Sequence, residues 1–152
     1  MVQNPLAPLP CDTILFRALI YDNLIAKNGS HKLQTFIRRR DSDPNGISIV
    51  DTIRHCKEGM QRGIFGVRSV HLGTLRDNGF DVVRDTAHHG NLRLIDGQNL
   101  PRRQDDEIEA NRLAEVLMNC SRPVAYFNDD DADERFQAEI EAKRNPSHNF
   151  SK

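Results

Sequence analysis

Between residues 64 and 95 three strand-like stretches, Ile64 to Leu72, Phe80 to Val83 and Asn91 to Ile95, are joined only by short polar links, Gly73 to Gly79 and Asp85 to Gly90. A parallel neighbour needs a crossover of about a dozen residues or more, usually helical. Links of this length therefore predict a sheet that is mostly antiparallel or mixed. The same architecture extends upstream, where Thr13 to Ile20 and Ile47 to Val50 are rich in β-branched and aliphatic residues.

Helical patterns flank these strands. Ile53, Cys56, Lys57 and Met60 recur at helical spacing after Asp51, a candidate N-cap. This predicts a short helix near 51–61. After Pro101, Ala110, Leu113, Ala114 and Leu117 form one apolar stripe behind Asp105 or Asp106. This predicts a longer helix near 105–120, and Val124 to Phe127 could add a last short strand. The fold class is α+β. The domains expected are an irregular, Pro-rich lead-in at 1–12, one α+β domain at 13–127, and an acidic, weakly ordered C-terminal segment at 128–152 whose last eight residues fray. Within residues 134–144 only Phe136 and Ile140 are large and apolar, so any helix there docks weakly.

At 152 residues a single core suffices for a stable fold without a metal or disulfide staple. Cys11, Cys56 and Cys120 are odd in number and widely spaced, which reads as reduced structural thiols. The Pro-rich start lacks the pattern of a signal peptide, and no apolar run is long enough to span a bilayer, so a cytoplasmic protein with no membrane association is expected. The net charge of −1 speaks against a whole-surface positive field for nucleic acid. It is a cancellation: residues 1–100 carry 13 basic and 10 acidic groups, residues 101–152 carry 8 and 12. The first hundred residues can attract an anion, such as a nucleotide or RNA, and the acidic tail can meet a basic protein partner.

Arg17 stands in the middle of an apolar strand, on the face of Leu15 and Leu19. A buried guanidinium without a partner is costly, so Arg17 must have an acidic neighbour or face a cleft that holds an anion. Arg38, Arg39 and Arg40 are the densest positive run, readable as a solvated strand end or as a phosphate clamp. His71 and His89 could serve as an acid/base pair, since imidazole titrates near neutrality. Ser48 sits at a turn-to-strand entrance, with no base adjacent in sequence. There is no GxGxxG, P-loop, HExxH or GxSxG motif, and Asp85 with His89 lacks a third ligand, so no metal centre is expected.

Residues 13–121 resemble a family of small uncharacterised bacterial proteins. The segments that carry this are Leu15 to Ala18, Phe36 to Arg38, Asp43 to Ser48, Gly66 to Val70, Phe80 to Val83, His89 to Leu92 and Leu100-Pro101. More distantly, the order of parts is similar to the ADP-ribosyltransferase-like group, which includes RES-type NAD-consuming toxins. That resemblance implies a toxin or effector enzyme with NAD as a possible substrate. Arg17 and Arg38 would hold the diphosphate, Ser48 (or loosely Tyr21) would supply the second motif, and His89 or Asn91 would orient the scissile bond. Asn91 stands where the group carries an acid. Two other readings are a metal-independent ribonuclease using His71 and His89 with the Arg run on the phosphate, and a non-catalytic interaction or regulatory protein in which Arg17 pairs with an internal carboxylate.

Overall fold

The computed structural model describes residues 6–39, 43–58 and 63–144. Arg40, Met60 and the last eight residues lie outside them. The strands are β1 (Ile14–Leu19), β2 (Ile47–Val50), β3 (Gly66–His71), β4 (Phe80–Arg84), β5 (His89–Leu94) and β6 (Ser121–Pro123). They form one six-stranded sheet in the order β4-β5-β2-β1-β3-β6, with every neighbouring pair antiparallel. The α-helices are α1 (Ile53–Lys57), α2 (Leu72–Asp77), α3 (Glu107–Cys120) and α4 (Ala132–Arg144). The fold is thus α+β, as the short links require.

Alternation along the strands feeds two cores. Leu15, Ile47, Ile49, Val70, Phe80 and Leu92 pack on one face with Phe36, with Leu72 and Leu75 of α2, and with Leu113, Ala114 and Leu117 of α3. Phe16 and Val67 point to the other face, where Ile53 and Cys56 of α1 and Ala132 of α4 cover them. The apolar stripe read in residues 110–117 is the buried face of α3, and Asp106 caps that helix by accepting from the Glu109 N–H at 3.1 Å.

Three elements differ from the sequence reading. The link after β3 is not irregular: His71 caps α2, and Leu72 and Leu75 are fully buried. The sequence hid this helix because two glycines and four polar residues surround its two apolar anchors. The last strand is Ser121–Pro123 rather than 124–127. Its register opposite Arg68 to Val70 follows directly from the end of α3, and the Val124 N–H continues it by donating to the Val67 carbonyl at 2.9 Å. The helix after β2 is capped by Thr52, not Asp51.

Within the acidic segment, residues 132–144 are helical. Phe136 meets the edge of Phe16 with ring centroids 5.0 Å apart. Asp133 accepts from the Ile53 and Arg54 N–H groups at 2.7 and 3.0 Å, so one acidic side chain of α4 satisfies two free donors at the start of α1. Asp133→Ala should therefore lower stability by about 1–2 kcal/mol. A urea midpoint unchanged in this variant would show that the cap does not hold α4.

Candidate functional site

The site grows out of a gap in the sheet. β1 pairs with β3 along six residues, but with β2 only at Phe16 opposite Val50. Beyond that pair the two strands separate, and the guanidinium of Arg17 fills the wedge. Its Nε donates to the Thr35 carbonyl at 3.0 Å and its NH1 to the Ser48 carbonyl at 3.0 Å. The cation is 4% exposed. No carboxylate forms an ion pair with it among the described residues, and NH2 has no hydrogen bond there. Burial is the main reason its pKa falls to about 10; the charge of Arg39 adds to the fall, and Asp43 opposes it. Arg17 still carries its charge at neutral pH. A buried cation with two carbonyls and no anion is the arrangement that an anionic ligand would complete.

The wedge opens into a cleft of about 250 Å³ lined by Arg17, Arg39, Ser48, His55, Cys56 and His89, among others. Ser48 lies opposite Asn91 in the β2–β5 ladder and His89 lies opposite Val50, so Ser48 and His89 are diagonal neighbours on one face. Ser48 Oγ is 2.5 Å from His89 Nε2. The β4–β5 hairpin then brings Asp85 back beside His89, with Asp85 Oδ1 2.7 Å from His89 Nδ1. The second oxygen of Asp85 accepts from the Asn91 amide at 3.3 Å. Gly90, between the two site residues of β5, leaves no room for a side chain: a Cβ there would meet Val82 Cγ1 at 2.6 Å.

This chain of contacts sets the tautomer. A carboxylate can only accept, so Nδ1 carries the proton and Nε2 presents its lone pair to the Ser48 hydroxyl. Burial alone would raise the Asp85 carboxyl. The hydrogen bond from His89, the electrostatic attraction of its ring N–H and the Asn91 amide outweigh it and hold Asp85 below its ordinary value. The thiol in the cleft wall is unreactive. The Cys56 thiol is pushed up to about 12, first by burial and then by Asp133, so it stays protonated.

The structure brings together Arg17, Arg39, Ser48 and His89. Arg39 stacks over the Tyr21 ring at 4.6 Å and faces Asp43 at 3.8 Å. Asn91 is buried beside Ser48, is not among the residues lining the cleft, and reaches it through Asp85. Arg38 does not reach it. Its three nitrogens donate to the carbonyls of Asp43, Leu100 and Pro44, and it lines a separate, larger depression with Lys32 and Arg103. His71 is also elsewhere. It accepts from the Thr74 N–H at the start of α2, and β3 is three strands away from β5, about 14 Å across the sheet. Asp85, offered by the sequence only as half of a metal pair, is spent on His89. Reading β4 and β5 as a hairpin would have placed it there.

No protein-family model, no curated protein and no solved structure matches this chain. Among the described residues no helix is long and apolar enough to cross a membrane.

Proposed function

We propose that the protein is a small enzyme acting on a phosphate-bearing substrate of the nucleotide class, with Ser48 as nucleophile, His89 as general base and acid, and Asp85 as the residue that orients His89. The observation that carries this reading is the continuous chain Ser48 Oγ, His89 Nε2, His89 Nδ1 and Asp85 Oδ1, with steps of 2.5 and 2.7 Å. Arg17 supplies the second requirement, a preorganised positive charge beside the nucleophile.

In the step this geometry favours, Ser48 Oγ attacks the phosphorus as its proton passes to His89 Nε2. The Oγ–P bond forms, the bond from phosphorus to the leaving oxygen breaks, and His89 returns the proton to that oxygen. Water then attacks the phosphoserine as its proton passes to His89 Nε2; the Oγ–P bond breaks, phosphate leaves, and His89 returns the proton to Ser48 Oγ. Arg17 and Arg39 face the charge that builds on the phosphoryl oxygens. A fluorophosphonate probe should add one phosphonyl group per chain at Ser48, located by peptide mass mapping. Labelling absent, or present equally in Ser48→Ala, would overturn the assignment.

A second reading keeps the same cleft. Arg17, Ser48 and His89 meet as the ADP-ribosyltransferase-like resemblance implies, which favours an NAD site, while Arg38, the other diphosphate ligand it implies, lies outside the cleft. Asn91 does not face the cleft in the role of the missing acid, and Asp85 is the nearest carboxylate to His89. Calorimetric titration with NAD to millimolar concentration separates the two: binding that Arg17→Met abolishes supports this reading, and no heat removes it. The ribonuclease reading loses its pair, because one phosphate cannot touch both His71 and His89. The non-catalytic reading expected Arg17 to meet a carboxylate, where it meets two carbonyls.

A further inference from the structure

Next to the Ser48 chain, and sharing none of its side chains, lies a group that the reaction above does not use. Asp51 follows β2, His55 is on α1 and His88 is in the β4–β5 turn, and each presents a ligand atom within 4.8 Å of the others. We propose that Asp51, His55 and His88 form a binding site for one transition-metal dication of the zinc class, with a further coordination position open to solvent and to the neighbouring cleft. Two imidazoles and one carboxylate are the donor set that zinc, cobalt and nickel accept, while magnesium and calcium prefer oxygen throughout.

Three observations support the site independently of its composition. The donor atoms converge on one carboxylate: His88 Nδ1 is 2.9 Å from Asp51 Oδ2, a hydrogen bond whose proton a metal would displace, and His55 Nδ1 is 3.4 Å from Asp51 Oδ1. Ligands at about 2.1 Å from a tetrahedral zinc stand about 3.4 Å apart. The two rings stack at 4.2 Å with an interplanar angle of 18°, so both imidazoles present an edge to the same carboxylate.

Asp51 Oδ1 is the third observation. It is buried and has no hydrogen-bond partner. The tautomer of His55 explains why. His55 Nε2 faces Glu58 Oε2 at 3.5 Å, which places the ring proton on that side. Thr52 Oγ1 already accepts from the His55 backbone N–H, so its own proton turns to His55 Nδ1, 2.5 Å away. Only Oδ1 is then left without a proton to accept, 3.4 Å from an Nδ1 whose lone pair the Thr52 hydroxyl occupies. A cation at this point takes the place of the Thr52 proton on Nδ1 and gives Oδ1 the partner it lacks. Glu58 then stands in the outer position where ligating histidines hold a carboxylate. His55 also lines the Ser48 cleft, which puts the open position beside the nucleophile.

The full chain, freed of metal by EDTA and dialysis, is the material to test. Titration with Co²⁺ should saturate at one ion per chain and develop visible d–d bands, and Zn²⁺ should displace it. Asp51→Asn and His88→Ala, each checked for native circular dichroism, should weaken Co²⁺ binding by more than about 100-fold, and Glu58→Gln by about 10-fold. His71→Ala and Ser48→Ala should bind as tightly as the unaltered chain, which separates this site from surface histidines and from the Ser48 reaction. Absence of one-to-one uptake, or uptake unchanged in both Asp51→Asn and His88→Ala, overturns the proposal.

Discussion

Ser48→Ala is expected to lower turnover of a phosphate ester by about 10⁴-fold or more, with p-nitrophenyl phosphate and its bis ester as the two substrates to compare. The size follows from what the cleft contains. Removing Oγ leaves no hydroxyl or ionisable thiol among the described residues lining the cleft, because Cys56 is held as a thiol by burial. What remains is the electrostatic contribution of Arg17 and Arg39, which stabilises charge but forms no bond. Asp85→Asn should cost less, on the order of 10²-fold, because the Asp85 side chain is 46% exposed and water competes for His89 Nδ1. An Asn at 85 can also donate to Nδ1, which moves the ring proton to Nε2 and leaves nothing to accept from Ser48. The loss should fall on kcat with KM little changed, since Asp85 does not touch substrate. Combining the two substitutions should add almost nothing to Ser48→Ala alone, as residues that act in series fail together. If Ser48→Ala retains turnover within tenfold of the unaltered chain, or if the two losses multiply, the three residues do not form one catalytic chain.

The antiparallel sheet was legible because link length is a local property of the sequence, and so was α3, whose four buried residues repeat at helical spacing. α2 was not, because Leu72 and Leu75 are only two anchors in a run of turn-forming residues, and it takes the packing of α3 and β4 to show that they are core. The site divides in the same way. Arg17 stood out from its strand without any structure, since a guanidinium among aliphatic residues conflicts with burial unless something answers it. Ser48 and His89 are 41 residues apart. Their contact depends on the register of β2 against β5, and a slip of one residue would turn them to opposite faces. No local pattern fixes that register. Asp51, His55 and His88 are scattered for the same reason, and meet only because the Asp51 N–H is held to the His88 carbonyl at 3.1 Å.

Arg17 should prove to be both a strut and a ligand-binding residue, and two substitutions separate the roles. Arg17→Ala removes the bridge between Thr35 and Ser48 and leaves two carbonyls unpaired around a void. A loss of about 3–5 kcal/mol is expected, or roughly 10 °C in the thermal midpoint of a chain this size. Arg17→Met keeps most of the buried stem and no longer confines a charge away from water, so part of the cost disappears while the two carbonyls remain unpaired. Stability should therefore fall in the order Arg, Met, Ala. Phosphate or a phosphate ester should raise the midpoint of the unaltered chain in proportion to the logarithm of its concentration, because it binds only the folded state. It should leave Arg17→Met unmoved. If Arg17→Met responds to phosphate as the unaltered chain does, the anion is held by Arg39 alone and Arg17 is only a strut; if Arg17→Ala melts where the unaltered chain melts, the wedge between β1 and β2 is held by something other than its guanidinium.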